Sequence, residues 1–171
     1  MCRGRLPATA GTNSAGTLEI GIAGIPVRGV EIEIFQRVFE QMTGALAAEV
    51  AATAADGKST LDRFEGGTLK YLASIASSNK FRQVLLIDGP AVLGWEKWRE
   101  IDTRYFGGVM KAPMKRTPHA RASAREMAAI GHVIAGAVSE AALVCATSDH
   151  RLRAARDFTS ALLKMLAPFF Q

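Results

Sequence analysis

FRQVLLIDGPAVLGWEKWREIDTRY, residues 81–105, joins an apolar run, a Gly-Pro break and a segment carrying both tryptophans. Its reading decides the fold. Val84 to Asp88 followed by Gly89-Pro90 fits a buried parallel strand ending at a ligand loop, as in α/β enzymes. It equally fits a short buried helix, because periodicity cannot separate the two over so few residues. The rest of the chain favours helix. No other β-rich run punctuates residues 31–171, so a strand here would lack partners, and the flanking segments are long and helical in pattern. Pro90 suits the first turn of a further helix. Trp98, Ile101, Tyr105 and Val109 then recur at helical spacing, which predicts a helix over about 91–110.

Working outward, Phe35, Val38, Phe39, Met42, Leu46 and Val50 mark an amphipathic helix over 31–54, ended by Asp56-Gly57. Ser59 or Thr60 caps the next helix, 60–77, whose apolar face is Leu61, Phe64, Thr68, Leu72 and Ile75. Gly66-Gly67 inside it implies a kink or a close neighbour. Residues 111–123 break the pattern. It returns over 124–147 with Met127, Ile130, Ile134, Val138, Ala141 and Cys145, and a last helix covers 150–167. Upstream, 17–30 is apolar but cut by Gly21, Gly24, Pro26 and Gly29, which predicts a short strand or irregular segment. Residues 1–16 read as disordered. The expectation is an all-α bundle of about six helices, with an N-terminal segment over 1–30 and a helical domain over 31–171.

The segment 124–147 is apolar nearly all round and thin, with Gly131, Ala135, Gly136, Ala137, Ala141 and Ala142. Such a helix is buried on more than one side. A homodimer joined by a four-helix bundle, two helices from each subunit, accounts for both properties. The alternative is one central helix deep in a monomer. The residues expected at the dimer interface are Ile134, Ala137, Val138, Ala141, Cys145, Leu152, Thr159, Leu163 and Leu166.

Hydrophobic residues form 49% of the 171 and charged ones 22%, enough apolar mass for a packed core. No apolar run approaches the roughly 20 residues that span a bilayer, and the N-terminus lacks the apolar stretch of a secretory signal. Two distant cysteines, Cys2 and Cys145, argue against a disulfide framework or zinc site and for the cytoplasm. The net charge of +5 comes from the second half of the chain. It centres on Lys111, Lys115, Arg116, Arg121 and Arg125, read as a solvated linker or as a patch that touches phosphate.

Three segments carry a resemblance. Residues 34–40 (IFQRVFE), the Asp-Gly-Pro and Trp-x-x-Trp-Arg-Glu motifs within 83–105, and 128–146 with its partner 154–166 resemble the C-terminal domain of TetR-type transcriptional repressors. The resemblance implies a dimer that binds a small-molecule effector and performs no chemistry. In such proteins a helix-turn-helix head of roughly 45 residues reads DNA. Here Ala23 to Val30 only faintly matches its turn, and Glu31 and Glu33 stand where a Tyr-x-x-Phe and a Lys belong. The head is therefore expected to be degenerate or missing. The alternatives are an interaction module that pairs with an intact repressor and, more remotely, an α/β hydrolase-like enzyme built on VLLIDGP.

Few residues look chemical. His119, His132 and His150 sit on separate segments without carboxylates at ligand spacing, so they read as surface or packing residues. Asp88 reads as a helix-end residue paired with Arg82 or Arg99, rather than a nucleophile. Glu96, Glu100 and Asp102 with Arg99 and Arg104 read as ion pairs on an exposed face. Trp95 and Trp98 either line an effector cavity or belong to the core, and Phe64, Tyr71 and Met127 complete the candidate pocket. No catalytic residue, metal or cofactor is expected.

Overall fold

The computed structural model describes residues 21–22, 25–26, 29–115 and 123–169. Two strands of two residues, β1 (Gly21–Ile22) and β2 (Ile25–Pro26), pair antiparallel with Ile22 opposite Ile25. Every other regular element among the described residues is helical. They are α1 (Gly29–Ala55), α2 (Thr60–Ser77), α3 (Asn79–Phe81), α4 (Gly89–Leu93), α5 (Trp95–Lys115), α6 (Ala124–Thr147) and α7 (Arg151–Leu166). A π-helical turn, Arg82–Asp88, joins α3 to α4, and a 3-10 turn, Ala167–Phe169, follows α7. The all-α expectation holds, and Val84 to Asp88 is helical. The expected disorder of 1–16, together with Cys2, Arg116, His119 and Arg121, lies outside the described residues.

The core forms where α1, α2, α5, α6 and α7 meet. Phe39, Leu46, Leu72, Ile75, Ile101 and Cys145 are fully buried there. Thr43 and Thr159 are buried too, and each hydroxyl donates to the carbonyl four residues earlier, Phe39 and Ala155. No polar atom is left stranded by either one. α2 opens on a capping box in which Ser59 and Asp62 satisfy each other's backbone N–H. Ser123 and Glu126 do the same for α6. α2 runs unbroken through Gly66-Gly67, where its backbone lies against Thr53 and Val50 of α1.

The 81–105 stretch departs from a plain helix for a physical reason. Within the π-turn the Gly89 N–H bonds the Val84 carbonyl, five residues back. Pro90 is next in register and has no N–H to offer Leu85. The Trp98 indole takes that place and donates to the Leu85 carbonyl at 2.9 Å. Gly89 allows the approach: a Cβ there would sit 2.7 Å from Phe39 Cε2 and 2.8 Å from Trp98 Cδ1. Gly94, at φ 76°, then turns the chain into α5. The single helix expected over about 91–110 is thus two, α4 and α5, broken at Gly94. α5 also runs past the expected break at Lys111 as far as Lys115.

Several pairings differ from the sequence reading. Asp88 accepts from Gln83 Nε2 at 2.8 Å, while Arg82 donates to the Ile75 and Ala76 carbonyls and to Asn79. Val38 and Leu152, assigned to apolar faces, are exposed. Arg125–Thr147 is also more apolar than expected: within its 23 residues a window has mean hydropathy 1.7. By length and composition it is able to cross a membrane, although a third of that window is buried inside the protein.

Candidate functional site

A cavity opens between α2, α5 and α6, and each helix lines it with a stripe at helical spacing. α2 supplies Arg63, Phe64, Gly67, Thr68 and Tyr71. α5 supplies Arg99, Asp102, Thr103, Phe106 and Gly107. α6 supplies Gly131, His132, Ala135, Val138 and Ser139, and Val50 of α1 closes the floor. The cavity volume, counted as space open to the centre of a water molecule, is about 70 Å³.

The walls are largely apolar and aromatic. The Tyr71 and Phe106 rings meet edge to face with centroids 5.1 Å apart. Polar groups gather around Tyr71 and Asp102. The Tyr71 hydroxyl makes no hydrogen bond among the described residues, and neither does the Asp102 carboxylate. Arg99 Nη1 stands 3.8 Å from Asp102 Oδ2, beyond hydrogen-bonding distance. Burial pushes the Asp102 carboxyl above its ordinary range, and Arg99 only partly opposes this. Burial, then the Asp102 charge, pushes the Tyr71 phenol up, so it remains a neutral donor. Arg63, also in the lining, donates through its Nε to the Gly57 carbonyl at 3.0 Å.

Of the five residues proposed for the pocket, Phe64 and Tyr71 line this cavity. Trp98, Trp95 and Met127 do not. Trp98 is buried and bonded to Leu85. Trp95, 64% exposed, leans on the Trp98 ring from outside, with centroids 4.9 Å apart. Met127 packs against the core one turn above the α6 stripe. Asp102 and Arg99 were placed on an exposed face, yet they line the cavity. Glu100 and Arg104 do fit that description, exposed and paired with each other, Glu100 also with Lys97. His132 lies at the cavity mouth, and His150 is exposed. A second α5 stripe beginning at Arg99 was the missed signal, overshadowed by the Trp98 stripe beside it.

The residues proposed for a dimer divide as well. Ile134, Val138, Ala141, Cys145, Thr159 and Leu166 are buried within their own chain and offer nothing to a partner. Ala137 and Leu163 are half-buried, and Leu152 is exposed. The face α6 turns outward is a different one: Val133, Ala137, Leu143 and Val144, with Val133 65% exposed. α7 adds exposed Met165, and Phe169 follows it.

The profile of the family described as tetracyclin repressor-like, C-terminal domain, matches residues 61–169, more than half of the chain. The chain belongs to this family. The match covers the helices that build the cavity and the outward apolar face. Membership in this regulator family points away from an enzyme. Among the described residues no cluster of His, Cys, Asp or Glu is arranged to hold a metal. No curated protein matches the chain.

Proposed function

We propose that this chain is the effector-binding and dimerising part of a cytoplasmic regulator of the tetracycline-repressor type. One observation carries the reading: α6 has cavity residues on one face and, on the other, exposed apolar residues interrupted by Glu140. Gly131, Ala135, Val138 and Ser139 face the cavity, while Val133, Leu143 and Val144 face outward. An apolar surface of that kind marks an interaction site. Packing α6 and α7 against the same pair of a second copy forms an isologous four-helix bundle. A ligand that prefers one α6 position then shifts the dimer arrangement.

We read residues 1–30 as a degenerate remnant of a DNA-reading head, followed by the effector and dimer domain. Glu31 and Glu33, exposed at the start of α1, would repel phosphate. The chain is expected to elute as a homodimer, at twice its 18.3 kDa mass, in size-exclusion chromatography with light scattering at micromolar concentration. It is also expected to retard no duplex specifically at physiological salt. A monomeric mass would defeat the dimer reading, and salt-resistant retardation of one particular duplex would defeat the remnant reading.

A further inference from the structure

We propose that the cavity takes a small aromatic acid, its ring against Phe64, Tyr71 and Phe106 and its carboxylate paired with Arg99, with Arg63 adding positive charge from α2. This rests on the reading of the cavity as a ligand site and names the chemistry of its ligand. The first support is charge. The lining holds two arginines against one carboxylate, Asp102, so it is net positive, and His132 at the mouth adds no negative charge. The second is an excess of hydrogen-bond donors. Arg63 spends its Nε on the Gly57 carbonyl, and its two terminal nitrogens have no acceptor among the described residues. Arg99 meets Asp102 at 3.8 Å, an ion pair too long for a hydrogen bond, so the donors of its guanidinium fork stay open to a second anion. Thr68 and Tyr71 reach the same cavity, and neither hydroxyl donates to another described residue. Among the described residues no buried side-chain oxygen lacks a partner, so both hydroxyls are accessible from outside rather than sealed in the core. A carboxylate accepts only, and its two oxygens match a guanidinium fork. The third is the wall and its size. Three aromatic rings face a volume of about 70 Å³, roughly five water positions and the room of a single ring.

The test uses the full chain and three probes of one shape that differ in charge: benzoate, benzamide and benzamidinium. Binding is measured by titration calorimetry at neutral pH. Benzoate is expected to bind tightest, by roughly tenfold over benzamide, with benzamidinium weakest. Arg99→Gln should bring benzoate down to the level of benzamide. Asp102→Asn relieves Arg99 of its rival acid and should tighten benzoate by roughly two- to fivefold. If benzamide or benzamidinium binds as tightly as benzoate, or if either variant leaves the benzoate affinity unchanged, the acid proposal fails. The ligand-site reading is decided separately by Ala135→Phe, which fills the cavity. Binding of any probe that this change abolishes keeps the site; binding that survives it lies elsewhere and defeats both readings. If no probe binds at millimolar concentration, both fail. Should a variant not fold, the wild-type ranking of the three probes remains a test by itself.

Discussion

At the scale of single residues, Trp98 is the one whose role is least replaceable. Its ring fills the core beside Phe39, and its indole N–H completes a backbone that Pro90 leaves short of a donor. Trp98→Phe preserves most of the apolar bulk and removes only that donor. The Leu85 carbonyl is then buried without a partner, a loss of about 1–3 kcal/mol. Urea unfolding should show it as a lower midpoint at unchanged slope; a midpoint equal to wild type would mean that the π-turn closes its own hydrogen bonds. Neither tryptophan turned out to line the cavity, and the reason is local. The sequence places Trp95 and Trp98 on one helix, but it does not reveal that Gly94 sets that helix so that one ring plugs a backbone gap and the other covers it. Asp102 is the converse case. Spaced three residues from Arg99, it reads as half of a surface ion pair, and only the fold shows that it is half-buried in the lining of the cavity.

At the scale of elements, helix limits were legible wherever a chemical stop signal exists. Ser59 and Ser123 open α2 and α6 with capping boxes, and the predicted spans 60–77 and 124–147 match the observed ones. Rotation about the helix axis was legible only where polar residues fix it. α6 is apolar nearly all round, so its pattern carries no phase, and Ile134, Val138, Ala141 and Cys145, expected at a partner, are enclosed by their own chain. Caps also set the response to pH. Hydrogen bonds from Ser59 hold the Asp62 carboxyl below its ordinary range, and those from Ser123 do the same for Glu126. Hydrogen bonds from Lys97, then Arg104, lower Glu100. A depressed carboxyl contributes stability that is present above its unfolded pKa and lost as pH falls through its folded one. Asp102, raised by burial, acts in the opposite sense: its protonation favours the folded chain as pH falls. The urea midpoint should therefore fall on acidification from about pH 5 to about pH 3. Asp102→Asn should be more stable than wild type at neutral pH and fall more steeply, because the compensating protonation is gone. Ser123→Ala should cost about 1 kcal/mol at neutral pH and flatten the acid response. A variant Asp102→Asn that tracks wild type at every pH would show that this carboxyl is not desolvated.

At the scale of the whole molecule, α6 is, in the proposed dimer, the shared wall between the cavity and the second copy. Glutamate substitutions on its two faces therefore have different consequences. Ala141 faces the core and is 1% exposed, so Ala141→Glu buries an unpaired charge and should unfold the chain. Val133 and Leu143 face outward, and in an isolated subunit the pair Val133→Glu with Leu143→Glu touches only solvent. In a symmetric bundle each of these carboxylates appears twice and faces an apolar partner surface, so the dimer should dissociate. The double variant is expected to keep the helical circular dichroism of wild type at high protein concentration while light scattering reports the mass of one chain. Its thermal midpoint should also lose the rise with protein concentration that a dimer confers. The two readouts together separate a lost interface from a lost fold. If the double variant remains dimeric, the partner covers a different surface, and the α6 wall cannot carry a signal from cavity to partner. If it is monomeric yet keeps the wild-type fold, the outward face of α6 carries the dimer, and any preference of a cavity ligand for one dimer arrangement is matched by an equal effect of dimerisation on that ligand's affinity.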